Sequence, residues 1–383
     1  MDDKQTVIRI LHAGDIHLDS IFQSLSPARA EARREEFRSA LRDMAAYICR
    51  EKIDVLLLSG DLFDEEFVTA ETVLTLQRIF EEMADTEVYI SPGNHDPYTA
   101  SSLYAAKPFP ENVTVFKDEK IHKVLSTRYP VTVFGYAFTG TSLPISPLAG
   151  FCADSDGRLQ LVVGHADLDV PLSVYAPVMT GDILSFGAHY TALSHRHNAE
   201  SINRAGDVLY GYSGFFLGRS FDEIGKGGVH LITATCVDEK WQLTAERISF
   251  SKRSYEKETL DVTGAPDADA VLAAIKKRID EKGYGEETLL RVTLTGALSP
   301  EFSIASVKNR LPECERGLFS LSLIDHTSPT YDTSLLEADM SIRGEVYRNF
   351  LPKLTEGTPE ERAEASMALK LALAALGGQP PVI

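Results

Sequence analysis

The stretch Val7-Ile8-Arg9-Ile10-Leu11-His12-Ala13-Gly14-Asp15-Ile16-His17 opens on a β-branched and leucine-rich run and ends, without pause, on a glycine and two side chains that bind metals or move protons. The apolar run fits a short strand, and the polar residues sit at its end. The same grammar recurs along the chain. Val55-Leu56-Leu57-Leu58 leads to Gly60-Asp61-Leu62-Phe63-Asp64, and Val88-Tyr89-Ile90 leads to Gly93-Asn94-His95-Asp96. Leu159 to Val163 leads to Gly164-His165, and Tyr190-Thr191-Ala192-Leu193 leads to Ser194-His195-Arg196-His197.

Asp15, His17, Asp61, Asn94, His165, His195 and His197 together form a set of oxygen and imidazole donors without a thiolate. Such a set suits manganese, iron or zinc better than calcium, which takes oxygen alone. There are too many donors for one ion. Two ions about 3.5 to 4 Å apart can share Asp61 as a bridge and hold a hydroxide between them, an arrangement suited to hydrolysing phosphate esters. In Asp15-Ile16-His17 and His195-Arg196-His197 the ligands are two residues apart, so on extended backbone they point the same way. The glycines at 14, 60, 93 and 164 are expected to permit a sharp turn before each ligand. A single histidine at a strand end is ordinarily a satisfied structural residue, and His12, His122, His189, His230 and His326 are read that way. Asp64 has two readings: a cap for the following helix, or an acceptor holding the His95 ring toward the scissile phosphate. Asp96 is read as forming the turn before Pro97.

Between the first two strands, Phe37, Leu41, Ala45 and Ile48 fall on one face of a helix over Ala28 to Ile48. Val73, Leu76, Phe80 and Met83 do so over Ala70 to Met83. Strands alternating with helices, followed by a strand-rich stretch from Val113 to Val262 expected to lack helices, predict an α/β fold: a two-sheet core flanked by helices. Near Tyr255 the pattern changes to a small α/β unit, and after Ser328-Pro329 it turns helical. There Thr358-Pro359-Glu360-Glu361 reads as a capping box, and Gly377-Gly378 as the stop of that helix. The expected organisation is 1–254, 255–328, a helical segment 329–378 and a tail 379–383.

The chain has 383 residues and a net charge of −18, from 38 basic and 56 acidic residues, which disfavours strong unaided DNA binding. The four cysteines have no metal-ligand or disulfide spacing. The polar start and the lack of a long apolar run lead to the expectation of a cytoplasmic protein.

The series DxH, GDxxD, GNHD, GH and HxH resembles the calcineurin-like metallophosphoesterase superfamily, and within it the SbcD-type DNA-repair exonucleases. His17-Leu18-Asp19-Ser20 and Gly218-Arg219-Ser220-Phe221-Asp222-Glu223 are similar to the YhaO-like bacterial group. The resemblance implies that 1–254 is a nuclease domain, that 255–328 is a capping domain, and that two divalent ions, Mn2+ ahead of iron or zinc, are the cofactors. It implies that Asp15, His17, Asp61 and His197 hold one ion, that Asp61, Asn94, His165 and His195 hold the other, and that His95, aided by Asp64, is catalytic. Its further implications are DNA as substrate, an SMC-like ATPase of the SbcC type as partner, and a homodimer formed through the helix over 28–48. The partner would dock on the C-terminal helices, where Ile342, Val346, Phe350 and Leu354, and Met367, Leu371 and Ala374, are expected to form apolar stripes. Alternatives are an esterase for small-molecule or protein phosphates and a metal-stabilised scaffold. Glu65-Glu66 after Asp64, and Asp96 in GNHD, depart from the protein phosphatases of the superfamily. The chain also departs from the nuclease pattern, with Ser194 where glycine is usual and Ser213 where proline is usual; a positive φ at Ser194 would carry a backbone cost.

Overall fold

In the computed structural model, residues 6–106, 109–153, 156–198, 201–299, 302–329 and 333–376 are described. The chain divides into two compact units, Met1–Tyr255 and Glu256–Ile383.

The first unit begins β1 (Thr6–Ala13), α1 (Pro27–Glu51), β2 (Val55–Leu58), α2 (Ala70–Glu82), β3 (Glu87–Ile90), α3 (Leu103–Ala106) and β4 (Val113–Val115). It continues with β5 (His122–Leu125), β6 (Val131–Gly135), β7 (Leu159–His165), α4 (Thr180–Phe186), β8 (Tyr190–Ser194), β9 (Ile202–Ala205), β10 (Val208–Tyr212), β11 (Val229–Val237) and β12 (Lys240–Ile248). Two six-stranded sheets result, in the orders β12-β11-β1-β2-β3-β4 and β5-β6-β7-β8-β10-β9. In the first, β1 to β4 run parallel. In the second, β6, β7, β8 and β10 run parallel.

Strand alternation builds the layers. Ile8, Ile10, Val55 and Leu57 point inward and meet Val131, Val133, Leu159, Leu161 and Val163 of the other sheet. Their neighbours Leu11, Leu56 and Leu58 point outward and are covered by Phe37, Leu41, Ala45 and Ile48 of α1 and by Leu76 and Phe80 of α2. The apolar α1 stripe is therefore buried against the chain's own sheet. Phe134, Val162 and Leu193 face outward from the second sheet, where Ile183 and Phe186 of α4 cover them. That helix lies in the stretch expected to be free of helices; at seven residues it is too short to show a hydrophobic period.

In the second unit, β13 (Ser254–Asp261), α5 (Ala268–Lys282), β14 (Thr288–Leu298), α6 (Ile304–Arg310), α7 (Pro312–Glu315) and β15 (Ser320–Pro329) precede α8 (Thr333–Ala338), α9 (Ile342–Glu356) and α10 (Pro359–Leu376). The three strands form a sheet in the order β13-β14-β15. The capping box at α10 is present: Thr358 N donates to Glu361 Oε2 at 2.8 Å, and Glu361 N donates to Thr358 Oγ1 at 3.2 Å. Lys370 of α10 donates to Asp325 Oδ2 and to the Thr327 carbonyl of β15. The buried face of α10 is Ala365, Leu369 and Leu373, while Met367 of the expected stripe is exposed. The helix is apolar on nearly every side, so periodicity could not choose one face. Ile342 is also exposed, whereas Val346, Phe350 and Leu354 pack with Tyr347 and Leu369. The side chain of Ala374, the Gly377-Gly378 stop and the tail 379–383 lie outside the described residues. No helix among the described residues is long and apolar enough to cross a membrane.

Candidate metal centre

Every expected ligand lies at the carboxyl end of a parallel strand. Asp15 and His17 follow β1, Asp61 follows β2, Asn94 follows β3, His165 ends β7, and His195 and His197 follow β8. Crevices outside the carboxyl ends of parallel strands are where α/β folds gather ligands. The first loop is laced to the second: Asp15 N donates to Gly60 O at 3.1 Å, and His17 N donates to Asp61 O at 2.9 Å.

The turns are not made as expected. Of the four glycines, Gly60 alone has a positive φ, +104°, while Asp15, His17, Asp61 and His195 themselves adopt φ of 47°, 48°, 52° and 116°. Non-glycine residues held there carry strain that the surrounding structure must sustain, and they collect at functional sites. Gly14 and Gly93 are small for a different reason. A Cβ on Gly14 would come 1.8 Å from Ser194 Oγ, and one on Gly93 would come 2.2 Å from Asp61 Oδ1.

One carboxylate oxygen joins two clusters. Asp61 Oδ2 is 3.5 Å from His17 Nε2 and 3.3 Å from His165 Nε2. On one side, His17 Nε2 faces His197 Nε2 at 3.3 Å, and His197 Nε2 is 3.7 Å from Asp15 Oδ1. Ligand atoms of Asp15, His17, Asp61 and His197 all lie within 4.8 Å of one another. On the other side, His165 Nε2 is 2.9 Å from Asn94 Oδ1 and 3.2 Å from His195 Nδ1. The structure thus brings all the expected ligands together in two groups that share Asp61.

The donor set fits cations because acceptor faces acceptor. His17 Nδ1 donates to Asp64 Oδ1 at 2.7 Å, and His197 Nδ1 donates to Glu223 Oε1 at 2.7 Å. In the neutral rings that ligation requires, both Nε2 atoms then carry lone pairs, and they face each other. His165 Nδ1 donates to the Ser59 carbonyl at 3.1 Å, so its Nε2 is likewise bare and directed at two oxygens. Burial holds His17 below its usual range and takes His165 down to about 4, against the pull of Asp61, so the rings stay neutral as ligation requires. Burial and the neighbouring Asp61 push the Asp15 carboxyl up; for Asp61, burial opposes ionisation but the imidazoles of His165 and His17 win and bring it down. A cation seated between the two buried carboxylates would offset their repulsion.

His95 lies beside the ligands, its ring edge-on to His17 at 4.9 Å between centroids, its backbone N donating to Asp61 Oδ1 at 3.0 Å and its side chain half exposed. Its Nδ1 is 3.2 Å from Asp64 Oδ1, the same oxygen that takes the His17 proton, and Ser20 Oγ donates to Asp64 Oδ2 at 2.5 Å. The cap reading of Asp64 fails, because Thr69 caps α2 and the Asp64 carboxylate holds His17 as well as His95. Hydrogen bonding to Asp64 raises His95 above its usual range against burial.

Asp96 does more than shape a turn. It is fully buried; its Oδ1 accepts from Gly93 N at 2.7 Å and Asp61 N at 3.1 Å, and its Oδ2 accepts from Leu62 N at 2.7 Å and Tyr104 OH at 2.6 Å. It ties the Asp61 loop to the Asn94 loop. The acidic partner of His197, Glu223, also escapes the sequence reading. Glu223 lies inside the quoted Gly218 to Glu223 motif, which was its one visible signal.

A sequence profile described as calcineurin-like phosphoesterase matches residues 8–198. An uncharacterized metallophosphoesterase YhaO of Bacillus subtilis is 26% identical over 320 residues, covering 80% of this chain and 76% of that protein. Among solved structures, a dimetal phosphatase from Danio rerio is 10% identical with a TM-score of 0.34, over 63% of this chain and 99% of its own. Vacuolar protein sorting 29 from Cryptosporidium parvum is 15% identical with a TM-score of 0.29, over 63% and 98%.

Proposed function

We propose that this chain, which through residues 8–198 belongs to the calcineurin-like phosphoesterase family, is a two-metal phosphodiesterase whose substrate is DNA. The observation that carries the phosphodiesterase reading is the shared Asp61 Oδ2, set between His17 and His165 at 3.5 and 3.3 Å.

Asp15, His17, Asp61 and His197 would hold one divalent ion, and Asp61, Asn94, His165 and His195 a second, with manganese the favoured metal. Ions bound there supply Lewis acidity and activate water for attack on phosphorus. The chain's own residues do the rest. Asp64 fixes the His95 ring through Nδ1, leaving Nε2 to deliver a proton to the departing sugar oxygen. Asp96 keeps the loops of Asp61 and Asn94 in register, so that the shared ligand and the acid keep their spacing.

DNA as substrate is supported by the GNHD sequence and by Glu65-Glu66 after Asp64, which depart from the protein phosphatases of the superfamily. The net charge of −18 disfavours unaided DNA binding, and a second component that supplies a phosphate-binding surface would offset it. We assign that part to an SMC-like ATPase. The assignment is supported by the apolar side chains of Ile342 and Met367, exposed on the C-terminal helices at 66% and 50%, and of Met340, exposed at 93% in the connection before α9. The test is cleavage of bis-p-nitrophenyl phosphate and of linear duplex DNA with Mn2+, by the protein alone and by the complex co-purified from its own cells, with and without ATP. The expected result is diester cleavage by the protein alone and DNA cleavage by the complex. Hydrolysis of the small diester with intact DNA in every reaction would favour a small-molecule esterase.

A further inference from the structure

We propose that the two ion sites are inequivalent, and that Glu223, clamped by Arg219, makes the Asp15/His17/Asp61/His197 site the one that fills first. The inference rests on the two-ion reading of the centre and concerns how its halves differ.

The first difference is charge. One site has two carboxylates, Asp15 and Asp61, whereas the other has the shared Asp61 and the neutral amide of Asn94. The second difference is what stands behind each imidazole. A carboxylate that accepts from the far nitrogen fixes the ring and strengthens it as a ligand. In the first site both rings have one, at 2.7 Å: Asp64 behind His17 and Glu223 behind His197. In the second site His165 is backed by a neutral carbonyl at 3.1 Å. His195 Nε2 is 3.7 Å from Asp167 Oδ2, beyond hydrogen-bond reach, and Ser173 Oγ occupies that oxygen at 2.6 Å.

Glu223 is built to keep its charge in a buried position. Arg219 donates to Oε1 from Nε at 3.1 Å and from Nη2 at 2.8 Å, and its backbone N donates to Oε2 at 2.6 Å. With the His197 ring, these donors satisfy both oxygens of the buried carboxylate. The loop is anchored in turn. Arg33, itself buried between the rings of Phe22 and Phe37, donates to Gly218 O at 2.8 Å, and Tyr255 OH donates to Arg219 O at 2.9 Å. Glu223 is thus a positioning residue, acting on the metal through His197.

The test is Mn2+ titration of the metal-free full chain, counting bound ions by loss of the free-ion electron paramagnetic resonance signal and by calorimetry. Wild type should show a tight and a weak class. Glu223→Ala should weaken the tight class by about 10- to 100-fold and leave the weak one in place. Glu223→Gln keeps an oxygen facing His197 but loses the charge, and should fall between them with the thermal midpoint of the metal-free protein unchanged. Asn94→Ala should weaken the weak class alone. Two equal sites in wild type, or wild-type binding in both Glu223 variants, would overturn the ordering. A wild-type chain that binds no Mn2+ would overturn the two-ion reading itself.

Discussion

Ser194 and Ser213, the two residues at which the motifs depart from the family pattern, are hydrogen-bonded to each other, Oγ to Oγ, at 2.8 Å. Ser194 Oγ also meets Ser59 Oγ at 2.5 Å, Ser59 Oγ meets His12 Nε2 at 2.9 Å, and His12 Nδ1 meets Tyr190 OH at 2.6 Å. The departures are a matched pair within a buried polar chain beneath the metal loops. The expected backbone cost does not arise, because the positive φ belongs to His195 and not to Ser194.

From this pairing, Ser194→Ala and Ser213→Ala should each destabilise by about 0.5 to 1.5 kcal/mol, since each removes a hydrogen bond from the buried chain. The double variant should cost less than the sum, as expected of partners in one network. Urea unfolding of all four proteins without metal gives the coupling, and strict additivity would dissolve the pair.

His95 and Asp61 separate chemistry from metal. His95→Ala should retain both ions yet slow diester cleavage by about 10²- to 10⁴-fold. Asp61→Asn should lose ions, because the shared charge is gone. Asp64→Asn should do both, since one oxygen serves His17 and His95. Metal analysis beside turnover distinguishes the three, and near-normal turnover in His95→Ala would end its role as acid.

His12 makes stability pH-dependent. Burial, reinforced by His230, holds it well below its usual value near 6.5. Between the two values only the unfolded chain takes up the proton, so this stability is complete above about pH 6.5 and falls on acidification, by at most about 1.4 kcal/mol per pH unit. Unfolding of wild type and His12→Gln at pH 7.5 and 5.5 should show a shallower loss in the variant.

The helical surface offers a test of the partner. Removing the chain beyond Ser328 would strip α10 from β15, where Lys370 binds Asp325, and so would confuse docking with folding. Met340→Glu with Ile342→Glu changes exposed side chains instead. Circular dichroism and diester turnover should stay as in wild type while the ATPase is no longer retained in pull-down. Undiminished retention would move the docking surface elsewhere.

Sequence reading captured what local pattern encodes. The five strand-to-ligand junctions, the inward faces of α1 and α2, and the α10 capping box all depend on neighbours within a few residues. It failed where partners are remote or pattern is ambiguous. Asp96 looks like a turn residue because its contacts to Asp61 and Leu62 lie more than thirty positions away. The glycines before the ligands looked like hinges, yet Gly14 is small because Ser194 arrives from the other sheet. In α10, alanine and leucine on almost every side left the face undecided.

The ligands come from both sheets: Asp15, His17, Asp61 and Asn94 from the edge of one, His165, His195 and His197 from the edge of the other. Ions seated among them would stitch the open end of the sandwich, and their binding energy would count toward cohesion of the layers. Scarcity of metal in the cell would then show twice, as slower hydrolysis and as a shortened lifetime of the polypeptide, as proteases find the loosened seam.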